Sequence, residues 1–267
     1  ISKSFERDGK KIRILDNFNH LILKGDRVGI LGKNGSGKST FLKILIKEIE
    51  QDSGYIFRSK TMEISYFDQN RSDLDKDKTL WETLCPNGGQ DVLIGQGENQ
   101  KTMHVCGYLK RFLFDPAIAK DKVGTLSGGQ QNRLLLAKIM ANPGNLLILD
   151  EPTNDLDMDT LDMLQGMLAD YKGTLIVVSH DRDFLDRTVT EILAFEGDAE
   201  VHHVFGGYSD YMREVHGRAA KKKEMEVEKQ EVKTSTPEPL DPMKKPLTYG
   251  EKLELDKLPK QMETLQS

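Results

Sequence analysis

Residues 32–40 read Gly32-Lys33-Asn34-Gly35-Ser36-Gly37-Lys38-Ser39-Thr40, and they fit the pattern G-x-x-x-x-G-K-[ST]. An apolar run, Arg27–Leu31, precedes this loop, and the pattern over Ser39–Ile49 predicts a helix after it. The glycines let backbone N–H groups turn inward around phosphate oxygens, and the following helix presents its positive end to the same anion. Lys38 would bring a mobile charge to the β- and γ-phosphates, and the Ser39 hydroxyl is a ligand type that Mg²⁺ accepts. This loop therefore predicts a nucleotide phosphate site.

A second segment carries two adjacent carboxylates at the end of an apolar run. It reads Leu146-Leu147-Ile148-Leu149-Asp150-Glu151. Ligands of parallel sheets bind at the carboxyl ends of the strands, so Asp150 would face the Mg²⁺ side of the phosphate loop. Glu151 could then orient or deprotonate a water molecule.

A third segment, Leu126-Ser127-Gly128-Gly129-Gln130, opens a helix-like stretch that runs to about Met140. A serine and two glycines at a helix start can form another anion receptor. An ordinary Ser/Gly cap would be the preferred reading if this segment stood alone. A simple P-loop kinase or GTPase does not need a second receptor of this kind.

The apolar runs predict a layered α/β fold. Arg27–Leu31, Asn145–Leu149 and Thr174–Val178 are continuous and strand-sized, and helical patterns separate them. Such strands indicate a parallel sheet that is covered on both faces. Glu191–Phe195 and Val201–Phe205 predict a closing hairpin.

Composition limits the class of protein. The chain has 267 residues, with 38 Lys+Arg against 43 Asp+Glu and a net charge of −5, which does not resemble a dedicated DNA-coating protein. Lys221–Lys223 is one compact basic patch. Cys85 and Cys106 have no CxxC spacing and no histidine cluster beside them in sequence, which argues against a disulfide scaffold and a structural zinc site. No apolar run approaches the ~18–20 residues of a membrane span and no signal peptide is visible, so we expect a cytoplasmic protein without direct membrane insertion.

The pattern changes near Gly217. Residues 218–233 are charged helix formers, readable either as a solvated helix or as nucleic-acid contacts, and 234–246 hold four prolines and predict a linker. The next apolar residues fall at heptad spacing, at Leu255, Leu258, Met262 and Leu265. They predict the start of a coiled coil or a solvated amphipathic helix. The expected division is a globular domain over 1–216, a charged helix and linker over 217–246, and a helical segment over 247–267.

Four segments in this order, GKNGSGKST, LSGGQ, LLILDEPTNDLD and VVSHDRDFL, resemble the ATP-binding cassette (ABC) family over residues 1–211. EPTNDLD and FGGYSDY resemble the ABC-F class, and the tail resembles the Uup subfamily. The resemblance implies the P-loop NTPase cassette fold with a helical signature subdomain, followed by a linker and a C-terminal coiled-coil segment. It also implies ATP and Mg²⁺.

The same resemblance implies roles for individual residues. Hydrolysis falls to Glu151, His180 and Gln69, and Mg²⁺ to Ser39, Gln69 and Asp150. The nucleotide contacts are Phe5 as the adenine-stacking aromatic, Gly32, Lys33, Asn34, Gly35, Ser36, Gly37, Lys38, Ser39 and Thr40 as the phosphate loop, Ser127, Gly128, Gly129 and Gln130 as the signature that meets ATP held by another cassette, and Asp157 in the segment Asn154-Asp155-Leu156-Asp157.

Family members of the ABC-F class carry two cassettes, whereas this chain carries one and begins with Ile1. We therefore expect a second cassette as partner, either a missing N-terminal half or a homodimer mate. The function implied is an ABC-F ATPase of Uup type that acts on the ribosome or on branched DNA, with DNA binding through the C-terminal domain. The alternatives are the ATP-binding subunit of a membrane transporter and a module that uses nucleotide only as a structural switch. The segment NDLD and the Pro-rich linker favour the ABC-F function over the transporter subunit, and the intact Glu151 disfavours the structural switch.

Overall fold

A computed structural model describes residues 1–7, 9–68, 74–95, 100–154 and 156–234, with residues 7 and 222–234 described by their backbone alone. The chain divides into two compact units, Ile1–His216 and Gly217–Ser267. Gln69, Asp155 and the four heptad residues predicted in the tail lie outside the described residues. Within the described part, no helix combines the length and the apolar character that a membrane crossing requires.

Strands and helices alternate along the first unit. The strands are β1 (Lys3–Arg7), β2 (Lys10–Leu15), β3 (Arg27–Gly32), β4 (Ile64–Asp68), β5 (Asp91–Ile94), β6 (Lys101–His104), β7 (Leu146–Asp150), β8 (Thr174–Val178), β9 (Glu191–Gly197) and β10 (Glu200–Phe205). The helices are α1 (Lys38–Leu45), α2 (Leu80–Leu84), α3 (Val105–Arg111), α4 (Gly128–Ala141), α5 (Met158–Asp170), α6 (Arg182–Thr188) and α7 (Tyr208–Thr234), the last of which continues into the second unit.

The central sheet has six strands in the order β10-β9-β3-β8-β7-β4. Neighbouring strands from β9 to β4 are parallel, and only β10 runs antiparallel, in its pairing with β9. The predicted parallel sheet and the predicted closing hairpin are both present. Continuous apolar runs form its inner strands because both faces of this sheet are buried.

The two faces of the sheet contact different parts of the core, because successive side chains of a strand point to opposite faces. Leu147 and Leu149 pack in one cluster with buried residues of α3, α4, α5 and α6. Leu146 and Ile148 pack in the other cluster with Phe41 and neighbouring residues of α1. The phosphate loop therefore joins a central strand to the helix on the second face.

Two smaller antiparallel pairs, β1–β2 and β5–β6, lie outside the central sheet. A mainly helical region between β4 and β7 holds α2, α3 and α4, and Tyr108 of α3 donates a buried hydrogen bond of 2.8 Å to the carbonyl of Ala137 in α4. The start of α4, at Ser127 and Gly128, is exposed on the surface of this region.

Helix α1 is shorter than the pattern over Ser39–Ile49 predicts. It ends at Leu45, and Lys47 has a φ of 66°, which is left-handed backbone that a helix cannot contain. The backbone N–H groups of Glu48 and Ile49 both turn back to the carbonyl of Lys43. Helix propensity in the sequence does not register this turn.

Candidate nucleotide site

The phosphate loop connects the end of β3 to the start of α1, as its sequence predicts. Gly35 and Gly37 have positive φ values of 81° and 107°, which glycine adopts without steric cost. Gly37 is the N-cap of α1, and a Cβ added there would collide with Cγ2 of Ile14 on β2. The close approach of β2 therefore requires glycine at this position.

Lys38 is held by the loop that precedes it. Its ammonium group donates hydrogen bonds to the carbonyls of Gly32 at 2.7 Å and Lys33 at 3.2 Å. Burial lowers the pKa of Lys38, and the carboxylates of Glu151 and Asp150 oppose that shift. The cation is thus positioned between its own loop and the acidic end of β7.

Asp150 is the last residue of β7 and is half-buried. Its Oδ2 accepts a hydrogen bond of 3.2 Å from the hydroxyl of Tyr66 on the neighbouring strand β4. Burial raises the pKa of Asp150, and the hydrogen bond from Tyr66 offsets part of the shift. Tyr66 therefore orients the carboxylate and also helps to keep it ionised.

Glu151 adopts backbone that is unusual for a residue with a side chain. Its φ is 51°, and its N–H donates a hydrogen bond of 2.8 Å to the carbonyl of Val178 at the end of β8. Left-handed backbone at a non-glycine residue stores strain and clusters at functional sites. Here the turn bends the chain so that Glu151 leaves the line of the strand.

The carboxylate of Glu151 lies against His180, with 3.3 Å between Oε1 and Nε2. Its Oε2 is buried and has no hydrogen-bond partner among the described residues. Burial raises the pKa of Glu151, while the charge of His180 and a hydrogen bond from its backbone lower it. A buried carboxylate oxygen with no partner is suited to accept a hydrogen bond from a water molecule.

His180 sits in the loop after β8, and that loop is fixed from both sides. The hydroxyls of Thr153 and Ser179 are 3.0 Å apart, and the Ser179 hydroxyl also accepts from the N–H of Asp181 at 3.0 Å. Ser179 is buried, whereas the side chain of His180 is 57% exposed. The loop thus presents an accessible imidazole beside Glu151.

Lys38, Asp150 and Glu151 line one cleft of about 400 Å³ at the carboxyl ends of the strands, and His180 contacts it through Glu151 without lining it. The residues lining it are Ile14, Asn34, Gly35, Gly37, Lys38, Ser39, Thr40, Asp150, Glu151 and Asn154. The Ser36 hydroxyl in the same loop is buried with no hydrogen-bond partner among the described residues, which suits an incoming phosphate oxygen. The Ser39 hydroxyl and the Asp150 carboxylate supply oxygen donors, the type that Mg²⁺ prefers, so the residues present fit this ion.

Phe5 lies on β1, is 40% exposed and is not among the residues that line the cleft. It pairs across the ribbon with Ile12, and Ile14 of the cleft is two residues further along the same strand. The register of the ribbon shifts between Ser4 and Lys3, which pair with Arg13 and Leu15, so Ile14 has no partner of its own on β1. The role of Phe5 in adenine stacking stays a prediction.

The signature segment lies apart from this cleft. Ser127 caps α4, where its hydroxyl accepts from the Gln130 N–H at 3.3 Å and the Gln130 side chain accepts from the Ser127 N–H at 2.9 Å. None of Ser127, Gly128, Gly129 and Gln130 lines the cleft. The same holds for Asp157, whose carboxylate caps α5 and contacts Arg133 at 3.1 Å.

Two residues of the site carry no sequence signal. Ile14 is an aliphatic residue of β2, and Tyr66 reaches Asp150 from a strand that is 84 positions earlier. Arg133, six residues after Ser127, makes its contacts within the protein. Its side chain is 15% exposed, donates to the Leu113 carbonyl at 3.3 Å and lies 5.7 Å from the centre of the Phe114 ring.

Comparison with known proteins agrees with this geometry. The family model for ABC transporters matches residues 15–154, which contain the phosphate loop, the signature and both acidic residues of the cleft. The ATP-binding protein Uup of Haemophilus influenzae is 43% identical over 272 residues, which cover 99% of this chain and 41% of that protein. The energy-dependent translational throttle protein EttA of Escherichia coli (strain K12) is 41% identical over 199 residues, covering 74% of this chain and 35% of EttA.

Among solved structures, the dimeric structure of MJ0796, a bacterial ABC transporter cassette, aligns with a TM-score of 0.58 and 26% identity. The alignment covers 77% of this chain and 96% of that one. The chain therefore has the α/β cassette fold. It spans less than half the length of the Uup and EttA proteins that it matches here.

Proposed function

Because the chain belongs to the ATP-binding cassette family and its similarity to Uup proteins fits the ABC-F class, we propose that it binds ATP in the cleft of Lys38 and Glu151 and hydrolyses it. The observation that carries this proposal is the convergence of a P-loop lysine and two carboxylates on one cleft, with an accessible histidine 3.3 Å from one of those carboxylates. The same convergence is what phosphoryl transfer to water needs, because that reaction depends on positioning and charge stabilisation.

Each residue has a part that follows from its contacts. Lys38 would exchange its bonds to the Gly32 and Lys33 carbonyls for bonds to the β- and γ-phosphates, at little cost because the loop already holds it in place. Backbone N–H groups of residues 34–40 and the positive end of α1 would hold the phosphate oxygens. Ser39, Gln69 and Asp150 would hold Mg²⁺, which when bound neutralises charge on the β- and γ-phosphates. Phe5 would stack on the adenine from the β1–β2 ribbon.

Glu151 is the proposed general base. Its unpartnered Oε2 would accept the proton of the attacking water, and His180, held 3.3 Å from Oε1, would contact the γ-phosphate from the other side. Gln69, which follows Asp68 in the sequence, would complete this arrangement. The raised pKa of Glu151 makes the carboxylate more basic than an exposed one, which improves proton abstraction near neutral pH.

The position of the signature supports a composite site. Ser127 and Gln130 lie at a helix start that does not line the cleft of the same chain, so their anion-binding end would serve a nucleotide held by a second cassette. Asp157 would lie at that shared interface. The MJ0796 cassette to which this fold is similar was solved as a dimer. We propose that the second cassette is either another half of a longer protein or a second copy of this chain.

The target of the motion is the finer part of the proposal. EttA is named a translational throttle, and Uup-type relatives match nearly the whole chain, so we propose an ABC-F protein of the cytoplasm that acts on the ribosome or on branched DNA. DNA contact would come through a C-terminal coiled-coil domain that begins near 247, after a charged helix and linker over 217–246. The ABC transporter family model and the MJ0796 cassette favour a second candidate, the ATP-binding subunit of a transporter.

Paired measurements on two variants test the catalytic proposal. Lys38→Ala should lose most ATP affinity, whereas Glu151→Gln should bind ATP as the wild type does and fail to hydrolyse it. The amide keeps the shape of the side chain and removes only its basicity. Nucleotide binding and turnover are measured for both, and a Glu151→Gln variant that turns over at the wild-type rate would show that Glu151 is not the base. Co-purification with ribosomes or with membranes under ATP, using Glu151→Gln as the trap, separates the two candidate roles.

A further inference from the structure

Three side chains that can bind a metal converge at the edge of the central sheet. His20 comes from the segment before β3, Glu191 is the first residue of β9, and His203 lies on β10. His203 Nε2 is 2.6 Å from Glu191 Oε2, and His20 Nε2 is 3.8 Å from the same oxygen. All three ligand atoms lie within 4.8 Å of one another, and none of these residues lines the nucleotide cleft.

The hairpin β9–β10 sets up this convergence. Glu191 pairs with Phe205, and His203 is two residues before Phe205 on the same face of β10. The ring of His203 lies between two others, with centroid distances of 4.6 Å to Phe205 and 4.8 Å to His20. The rings hold both imidazoles beside the carboxylate.

Burial takes two members of this cluster, His20 and Glu191, largely out of contact with water. Glu191 is 7% exposed, and the Nε2 atom of His20 is inaccessible and has no hydrogen-bond partner among the described residues. A buried carboxylate beside an unpartnered imidazole nitrogen is an environment that favours a cation.

We propose that His20, Glu191 and His203 bind a Zn²⁺ ion through the two Nε2 atoms and the carboxylate. Two imidazoles and a carboxylate are a common zinc ligand set, whereas Mg²⁺ prefers oxygen ligands. In such a site, each of the three ligand atoms would lie about 2.0–2.2 Å from the ion. The His203 side chain is 30% exposed, so a water molecule can reach the fourth position.

The ion would tie the segment before β3 to the hairpin that closes the sheet. The site is distinct from the proposed ATP site at the opposite end of β3, where Gly32 begins the phosphate loop. The cysteine pattern, which argued against structural zinc, could not reveal it, because its ligands are histidines and a glutamate separated by up to 183 positions.

Zinc titration of the whole chain against a chromophoric chelator tests the site. The wild type should bind one tight equivalent, and His20→Gln and His203→Gln should each weaken it by about tenfold or more, since even the loss of an outer-shell partner costs about that much. His202→Gln is the matched control. His202 is the residue before His203 on β10, but its Nε2 lies 3.4 Å from Oε2 of Glu196, outside the proposed ligand set. His180→Gln controls for zinc bound at the nucleotide cleft.

Two further measurements make the result independent of folding defects. Co²⁺ should give the visible absorption of a tetrahedral site in the wild type and in His202→Gln, and not in His20→Gln. Zn²⁺ should raise the thermal midpoint of the wild type and of His202→Gln but not of His203→Gln. Because His203 is exposed, we expect His203→Gln to fold, so the loss of the shift would reflect the loss of a zinc ligand. No tight zinc in the folded wild type, or equal zinc affinity in His20→Gln, would overturn the proposal and leave Glu191 and His203 as a hydrogen-bonded pair.

Discussion

Arg133 of helix α4 and Asp157 at the start of helix α5 are joined by a hydrogen bond of 3.1 Å between Nη2 and Oδ2. The helix of Arg133 begins with the signature, and Asp157 follows Glu151 by six residues. The same carboxylate caps α5 by accepting from the Thr160 N–H at 2.9 Å. One aspartate therefore stabilises a helix start and links the signature helix to the segment that follows the proposed base.

The two roles of Asp157 can be separated by substitution. Asp157→Ala loses both the cap and the Arg133 contact and should lower the free energy of unfolding by about 0.5–2 kcal/mol. Asp157→Ser keeps a capping hydroxyl and should lose much less, because the exposed ion pair alone is worth about 0–1 kcal/mol. Urea unfolding measures both. If the link to Arg133 serves hydrolysis, turnover should fall equally in Asp157→Ala and Asp157→Ser, because both lose that link. If turnover falls only in the less stable Asp157→Ala, Asp157 has a capping role alone.

The signature should act on a nucleotide held by another cassette. Ser127→Arg should block hydrolysis with little effect on ATP affinity, since Ser127 does not line the cleft of its own chain. The specific activity of the wild type should rise with protein concentration if the chain pairs with itself. Turnover and sedimentation are measured over the same concentrations. Fast turnover by a monomer, independent of concentration, would rule out a composite site.

The acidic pair should destabilise the nucleotide-free fold above the ordinary carboxyl pKa. Burial raises the pKa of both Asp150 and Glu151, so the folded state binds more protons than the unfolded state between the ordinary and the raised values. Stability of the wild type therefore falls as pH rises through that window. Asp150→Asn and Glu151→Gln should raise the thermal midpoint at neutral pH, and the gain should vanish in acid. A gain that is constant with pH would mean that ionisation is not its cause.

Two glycines of the phosphate loop should tolerate alanine differently. Gly35→Ala meets no atom within 4 Å and pays only for its positive φ, about 1–3 kcal/mol, whereas Gly37→Ala adds a collision with Ile14. Gly37→Ala should therefore lose more ATP affinity than Gly35→Ala. Adding Ile14→Ala to Gly37→Ala should restore part of that affinity, because it removes the obstructing methyl group. Nucleotide titration of the three variants checks this order. Equal losses for the two glycines would mean that β2 does not constrain the loop.

The tail gives a prediction for the full-length protein. Deleting everything after about Lys233 should leave ATP binding unchanged and weaken nucleic-acid binding, which should depend steeply on salt because phosphate contacts dominate such binding. DNA and RNA titrations at several salt concentrations, with full-length and truncated forms, measure the effect. Equal affinities would move the nucleic-acid contact to the cassettes or remove it.

Much of the sheet could be predicted because its inner strands must be apolar on both faces, and β3, β7 and β8 are continuous apolar runs. The acidic residues of the cleft were predictable because they directly follow such a run. The hydrogen bond from Tyr66 to Asp150 was not, since it depends on the register in which Tyr66 pairs with Ile148 of β7. The β5–β6 hairpin and the contact of Ile14 with Gly37 also arise only from folding, and no local pattern reports them.

Strand β3 carries the phosphate loop, yet its two neighbours in the sheet, β8 and β9, begin at Thr174 and Glu191. A chain emerging from the ribosome has therefore completed the loop more than 130 residues before the first of these partner strands begins. Contacts of such long sequence separation form slowly and leave strand edges exposed meanwhile. We therefore expect the nucleotide cleft to form late in synthesis, after β7 has supplied Asp150 and Glu151 and β8 has paired with β3.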